Sequence, residues 1–206
     1  MPRRLDEERR GELLDGVMRF IAMHGFSEAR ISDLARQLHC SVSTLYKIAP
    51  NKDSLVVLAI VRWGQQTLAD AEACSDLASN AIEKARRYFL TVAAHLRAQS
   101  HAFRGDVDRF ESTRLAYLTV SERFIDRFVS LLDDAVEAGE VCALNTRFVA
   151  HVLRQMAVVV RDDRALQDSD ITAEQAMQQV DALIWDGLRT PADSDGGCPA
   201  PSGSVR

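Results

Sequence analysis

From Leu13 to Leu188 the apolar residues of this chain return every three or four positions, and no stretch alternates apolar with polar. That period is the turn of an α-helix, so each stretch offers one apolar stripe, whereas a half-buried strand needs a period of two. Leu13, Leu14, Val17, Met18, Phe20 and Ile21 predict one helix over residues 6–24, and Gly25 is placed to end it. Ile31, Leu34, Ala35 and Leu38 predict a second, and Cys40, Leu45 and Ala49 supply the inward side of a third. Pro50 and Asn51 close that helix, and Asn51 is positioned to cap a fourth that begins at Lys52 and runs to about Ala73. Further stripes run through Ile82, Ala85, Phe89, Val92 and Leu96, and through Leu118, Ile125, Phe128, Leu132 and Val136. Asn145 and Thr172 are set to cap two more, carrying Phe148, Val152, Met156 and Val159, and Ala176, Val180, Leu183, Ile184 and Leu188. Pro and Gly are scarce before residue 190, so little breaks this pattern. The fold class is all-α.

Several kinds of function are disfavoured by what the chain lacks. No apolar run nears the roughly 20 residues of a membrane-spanning helix, so no membrane partner is expected. The opening MPRRLDEERRGELLDG has no apolar segment of the kind a secretion signal carries, which makes the cytoplasm the expected location. Cys40, Cys74, Cys142 and Cys198 are far apart and read as free thiols. His95 and His101 are the nearest approach to a ligand pair, and six residues apart they fall on different helix faces, so no metal is expected. Phosphate-binding glycine loops, nucleophile elbows and zinc-protease motifs are missing, so neither a cofactor nor an enzymatic activity is expected. Asp106, Asp108 and Glu111 form a carboxylate cluster, but in RGDVDRFE they alternate with Arg and read as a solvated face.

The stretch ISDLARQLHCSVSTLYKIAPNKDSL, residues 31–55, is different in kind. Two short helical patterns meet at a joint of three or four residues, the spacing of a helix-turn-helix. With Leu45 inward, Val42, Ser43, Thr44, Tyr46 and Lys47 stay outward or at the edges. Short hydroxyl side chains let a backbone come close to DNA, and Tyr and Lys reach phosphates. A capped surface helix with merely solvated hydroxyls is the other reading of the same spacing. The net charge is −5, yet residues 1–62 hold ten Lys/Arg against eight Asp/Glu, a balance of +2, and the remainder hold 15 against 22, a balance of −7. The acidic excess lies away from the opening segment.

Over residues 9–60 the sequence resembles the TetR family of bacterial transcriptional regulators. The resemblance rests on the long first helix ending at Gly25-Phe26, on ISDLA, and above all on Thr44-Leu45-Tyr46 followed by Pro50, Lys52 and Leu55. It implies about nine helices, with a three-helix DNA-binding domain over 1–51 and a ligand-binding and dimerisation domain over 52–190. It also implies that Tyr46 and Lys52 bind phosphates, while Val42, Ser43, Thr44 and Lys47 lie along the groove. Three positions depart from the family pattern: His39 stands at a usual Gly of the turn, Arg30 at a common Thr cap, and Ala49 at a frequent Phe.

The resemblance further implies a homodimer that binds a palindromic operator and is released by a small-molecule effector, most often as a repressor. Phe89, Phe103, Phe110, Tyr117, Phe124 and Met156 are candidates to line the effector cavity, and each taken singly reads better as ordinary core. His151, Arg154, Val158 and Arg161 share a helix face that suits a dimer seam, a pocket wall or solvent, and Trp185 suits a dimer contact or the core. The expected dimer surface is residues 145–163 with 172–189. Residues 191–206, rich in Pro, Gly and Ser, are expected to be a disordered tail. The alternative function is a helical protein-interaction adaptor without DNA binding.

Overall fold

The computed structural model of the chain describes residues 6–159 and 163–188. The expected tail at 191–206, Cys198, Arg161 and the side chain of Val158 lie outside the described residues. Among those described, ten α-helices form: α1 (Glu7–His24), α2 (Ile31–Gln37), α3 (Val42–Tyr46), α4 (Lys52–Asp76), α5 (Ala81–Arg97), α6 (His101–Arg109), α7 (Glu111–Glu137), α8 (Thr146–Val159), α9 (Asp163–Asp168) and α10 (Ala173–Leu188). The all-α reading holds. Two short helices, α6 and α9, were not separately visible in the apolar spacing.

The chain divides into two compact units, the first made of Met1–Asp70 and Ala94–Arg123, the second of Ala71–Ala93 and Phe124–Arg206. In the first, Val17, Ile21, Leu34, Leu45, Leu55, Val56, Ala59, Ile60 and Phe103 are inaccessible to solvent and form one core. Each large side chain so buried contributes about 1.5–3 kcal/mol, which is what holds helices as short as α2 and α3. The caps read from sequence are in place: Asn51 Oδ1 accepts from Ser54 N–H at 2.8 Å, and Asn145 Oδ1 from Phe148 N–H at 2.9 Å. Thr172 and Gln175 cap α10 reciprocally, each side chain accepting the other's backbone N–H, at 3.2 and 2.9 Å.

The second unit has its own core, in which the ring of Tyr88 stacks on Phe128 while Phe89 and Phe128 meet Trp185 edge-on. Of the two readings open for Trp185, core is the one observed: the side chain is buried. Arg86 bridges α5 to α10 through both carboxylate oxygens of Asp181, at 2.9 and 2.6 Å. Glu140 accepts from the Ala81 and Ile82 amides and so closes the N-terminus of α5. The stripe expected on α7 is partly out of phase. Ile125, Phe128 and Leu132 are buried, but Leu118 is exposed, because in the first unit α7 turns Thr113, Tyr117 and Val120 inward instead.

Gly64 on α4 shows how tightly that packing is set. Exchanging Gly for Ala in a helix is ordinarily worth ~1 kcal/mol of added stability. A methyl at Gly64 would lie 2.7 Å from Val120 Cγ2 and 3.1 Å from its Cβ, and a branched side chain has no free end to swing aside. Overpacking costs about 1–3 kcal/mol, so crowding outweighs propensity. Gly64→Ala is expected to lower the urea midpoint, while Gly105→Ala, where nothing lies within 4 Å, raises it. Equal gains at both positions would show that α4 and α7 are not in this contact.

Candidate nucleic-acid interface

The turn from α1 into α2 begins at Gly25, whose backbone takes φ 75° and whose N–H donates to Ile21 O at 2.8 Å. Arg30 starts α2 without a side-chain cap of its own; Asp33 accepts the Arg30 N–H at 3.1 Å, and the Asp33 N–H goes to the Arg30 carbonyl at 2.9 Å. α2 runs two turns, buries Leu34 and Ala35, and hands over to α3 through His39, which adopts the left-handed φ of 49°. A histidine thus occupies a conformation that glycine reaches without cost.

α3 is only five residues long. Ser41 caps it, its Oγ accepting from Thr44 N–H at 3.1 Å and sharing hydrogen bonds with the Ser43 and Thr44 hydroxyls, each at 2.8 Å. Leu45 is fully buried, and Ile48 and Ala49 are buried in the same core. The other sides stay open: Ser43, Tyr46 and Lys47 are exposed, Val42 and Thr44 half-buried, and Tyr46 keeps half of its surface. The structure thus brings Ser43, Thr44, Tyr46 and Lys47 together on the outer sides of one short helix and its end, with Val42 at the edge, partly packed against the core. Their chemistry there is of small apolar and hydroxyl contacts flanked by a phenol and an ammonium, a set suited to base edges and phosphates.

Lys52 stands apart from that group. Its Nζ donates to the carbonyls of Phe26, Ser27 and Ala29 at 2.9, 3.1 and 3.0 Å. An ammonium has three donors, so its capacity is filled within the protein. The same turn is held from the other side by Asp106 of α6, whose Oδ2 accepts from the Phe26 and Ser27 amides at 2.5 and 2.8 Å. Burial pushes the Asp106 carboxyl up, but those amides, the Ser27 hydroxyl and the Arg109 charge more than offset this, and it sits below the usual carboxylate range. The solvated-face reading of RGDVDRFE is therefore corrected at one position: Asp108 and Glu111 are exposed, but Asp106 is only 8% exposed. No local signal marked it, because its partners lie about 80 residues away in sequence.

The six residues expected to line an effector cavity fall into two groups. In the first unit, Phe103 is inaccessible core, Tyr117 stacks on Trp63 and donates its hydroxyl proton to Gln99 Oε1 at 2.7 Å, and Phe110 sits at the surface against Phe26. In the second, Phe89 and Phe124 are buried, Met156 is half-buried, and the carbonyl of Phe124 accepts the Tyr88 hydroxyl. His151 and Arg154 on α8 are exposed. Among the described residues, Thr67 Oγ1, Gln99 Nε2 and Trp185 Nε1 are buried without a hydrogen-bond partner.

No protein-family model matches the chain, and no curated protein sequence matches it. Solved structures do. One, described as a TetR-family transcriptional regulator from a Rhodococcus species, is 18% identical, with a TM-score of 0.73 over 90% of this chain and 100% of its own. A second, described as a transcriptional regulator from Saccharomonospora viridis in complex with choline, is 16% identical, with a TM-score of 0.75 and the same coverage. The ketosteroid transcriptional regulator KstR2 of Mycobacterium tuberculosis is 21% identical, with a TM-score of 0.62 over 91% of this chain and 98% of its own. The chain therefore has the fold of TetR-family regulators, with a helix-turn-helix in its N-terminal part and further helices after it.

The left-handed residue gives a test of the turn. Glycine at position 39 would relieve a backbone penalty of about 1–2 kcal/mol against an entropic cost of about 0.5–1 kcal/mol. His39→Gly is expected to stabilise by up to about 1.5 kcal/mol in chemical denaturation, and His39→Val, β-branched at the same φ, to destabilise. A glycine variant less stable than the parent would contradict the conformation described.

Proposed function

We propose that the chain is a TetR-family transcriptional regulator, a homodimer that binds a palindromic operator through α2 and α3 and is released from it by a small-molecule effector. The observation that carries this reading is the presentation of α3. One fully buried leucine holds a five-residue helix whose remaining sides offer Ser43, Thr44, Tyr46 and Lys47 to a groove, with the half-buried Val42 at its edge. In this reading residues 1–51 bind DNA, 52–190 take up the effector and the second subunit, and the chain acts in the cytoplasm without catalysing a reaction. The effector reading is supported by similar structures whose names include choline and a ketosteroid. The dimer reading is supported by apolar side chains left in solvent on α8 and α10: Phe148 is 66% exposed, Leu183 75%, and Val152 and Val159 are exposed with them. Surface of that kind is costly to leave uncovered and fits a two-fold interface.

Two experiments test these parts separately. Light scattering at micromolar concentration is expected to show twice the 22.9 kDa chain mass, falling to one chain mass when Phe148 and Leu183 are both replaced by Glu. A monomeric parent would contradict the dimer. For DNA, a duplex selected from a random pool by the protein is titrated at several salt concentrations beside a scrambled duplex. Lys47→Ala is expected to weaken both and to flatten the salt slope by about one unit per subunit. Tyr46→Phe loses one neutral hydrogen bond, about 1 kcal/mol, with the slope unchanged. Substitutions at Val42, Ser43 or Thr44 change which bases are preferred. A parent protein that binds no duplex would favour the adaptor.

A further inference from the structure

We propose that Lys52 serves DNA binding from inside the protein, as a positioning residue paired with Asp106 across the α1–α2 turn, and not as a phosphate ligand. The inference rests on the DNA-binding reading above and assigns a role within that site. Its basis is a set of five hydrogen bonds on one short segment. Phe26 and Ser27 each have their N–H taken by the Asp106 carboxylate and their C=O taken by the Lys52 ammonium, and Ala29 adds a third carbonyl. The Phe26–Ser27 peptide group therefore has an anion at its N–H and a cation at its C=O, while the group before it meets the anion and the group after it the cation. Both charges follow the peptide dipoles, and charge-assisted hydrogen bonds of this kind are the stronger ones.

What the pair holds is the entry to the helix-turn-helix. The turn carries Phe26, whose ring packs against Phe103 and Phe110, and it ends at Arg30, directly before α2. α2 and α3 share the core through Leu34 and Leu45, so the direction in which α2 leaves the turn sets where α3 points. Gly25 is fitted to the same arrangement: a Cβ there would lie 2.6 Å from Asp106 Oδ2, and its φ of 75° disfavours a side chain as well. For Lys52 to reach a phosphate it would have to abandon three carbonyls on a part-buried turn. Three contacts would be given up for one.

The two roles predict opposite outcomes for the same substitutions. Lys52→Arg keeps the charge, but a planar guanidinium cannot aim three donors at three converging carbonyls. It is expected to weaken binding to the selected duplex at least tenfold with the salt slope unchanged. Asp106→Asn removes a negative charge, which by long-range electrostatics alone would strengthen binding to DNA. It is expected instead to weaken it at least threefold, and the double variant is expected to be no weaker than the worse single one, because both act on one turn. Circular dichroism at the titration temperature confirms that each variant is folded. Full affinity in Lys52→Arg, a slope flattened by about one unit per subunit in Lys52→Met, or tighter binding by Asp106→Asn would overturn the proposal. If the parent protein bound no duplex, the regulator reading would fail and the pair would be judged by amide exchange without DNA. Exchange at Phe26, Ser27 and the amides of α2 and α3 is expected to rise at least tenfold in Lys52→Arg and Asp106→Asn, and unchanged rates would overturn the pairing.

Discussion

A helix of five residues cannot sustain itself. Nucleating a helix fixes several dihedrals for each hydrogen bond gained, and isolated helices shorter than about 12 residues are marginal in water. α3 exists because Leu45 is driven into the core of the first unit, with Ile48 and Ala49 following it. Leu45 is its one fully buried residue, with Val42 only partly packed, and the other sides are left to polar side chains. A second inward stripe would have removed the surface on which Ser43, Tyr46 and Lys47 are displayed. The serine cap at Ser41 then closes the N-terminal end, where the first amides would otherwise have no acceptor.

Burial alone does not orient such a helix, because hydrophobic contact has no preferred direction. Direction comes from the polar connections around it. His39 turns the chain by entering the left-handed region, Asp33 closes the start of α2, and Lys52 and Asp106 pin the turn before it. Apart from the turn at His39 these are hydrogen bonds with defined geometry, and those of Lys52 and Asp106 fall on buried or half-buried backbone, where leaving a partner unmade is expensive. In the second unit the stacked and edge-on rings around Trp185 and the Arg86–Asp181 bridge give that unit a separate core.

Much of this was legible in the sequence, for reasons that can be named. Helix existence follows from local periodicity, and the caps at Asn51, Asn145 and Thr172 are decided within three residues, so both could be read directly. The buried Leu45 and the outward Ser43, Tyr46 and Lys47 followed from spacing on one helix. Asp106 could not be read, because its meaning lies in two amides about 80 residues earlier, and charge alternation with Arg made it resemble solvated surface. Lys52 was visible as a cation beside the helix pair, but its partners are backbone carbonyls, which every residue possesses and no sequence pattern marks. On α7 the phase of the stripe was misread at Leu118, since only three-dimensional packing shows that Tyr117 and Val120 face inward there.

In the proposed reading α3 enters a major groove. Dimethyl sulfate reports it directly, because it methylates guanine N7 in the major groove and adenine N3 in the minor groove. On a duplex selected by the protein, the account predicts guanine N7 protection in two symmetric patches whose centres are about 34–36 Å apart or a multiple of that. Adenine N3 would remain reactive within those patches. Protection confined to adenine N3, or a duplex held in complex with every guanine N7 still reactive, would contradict it.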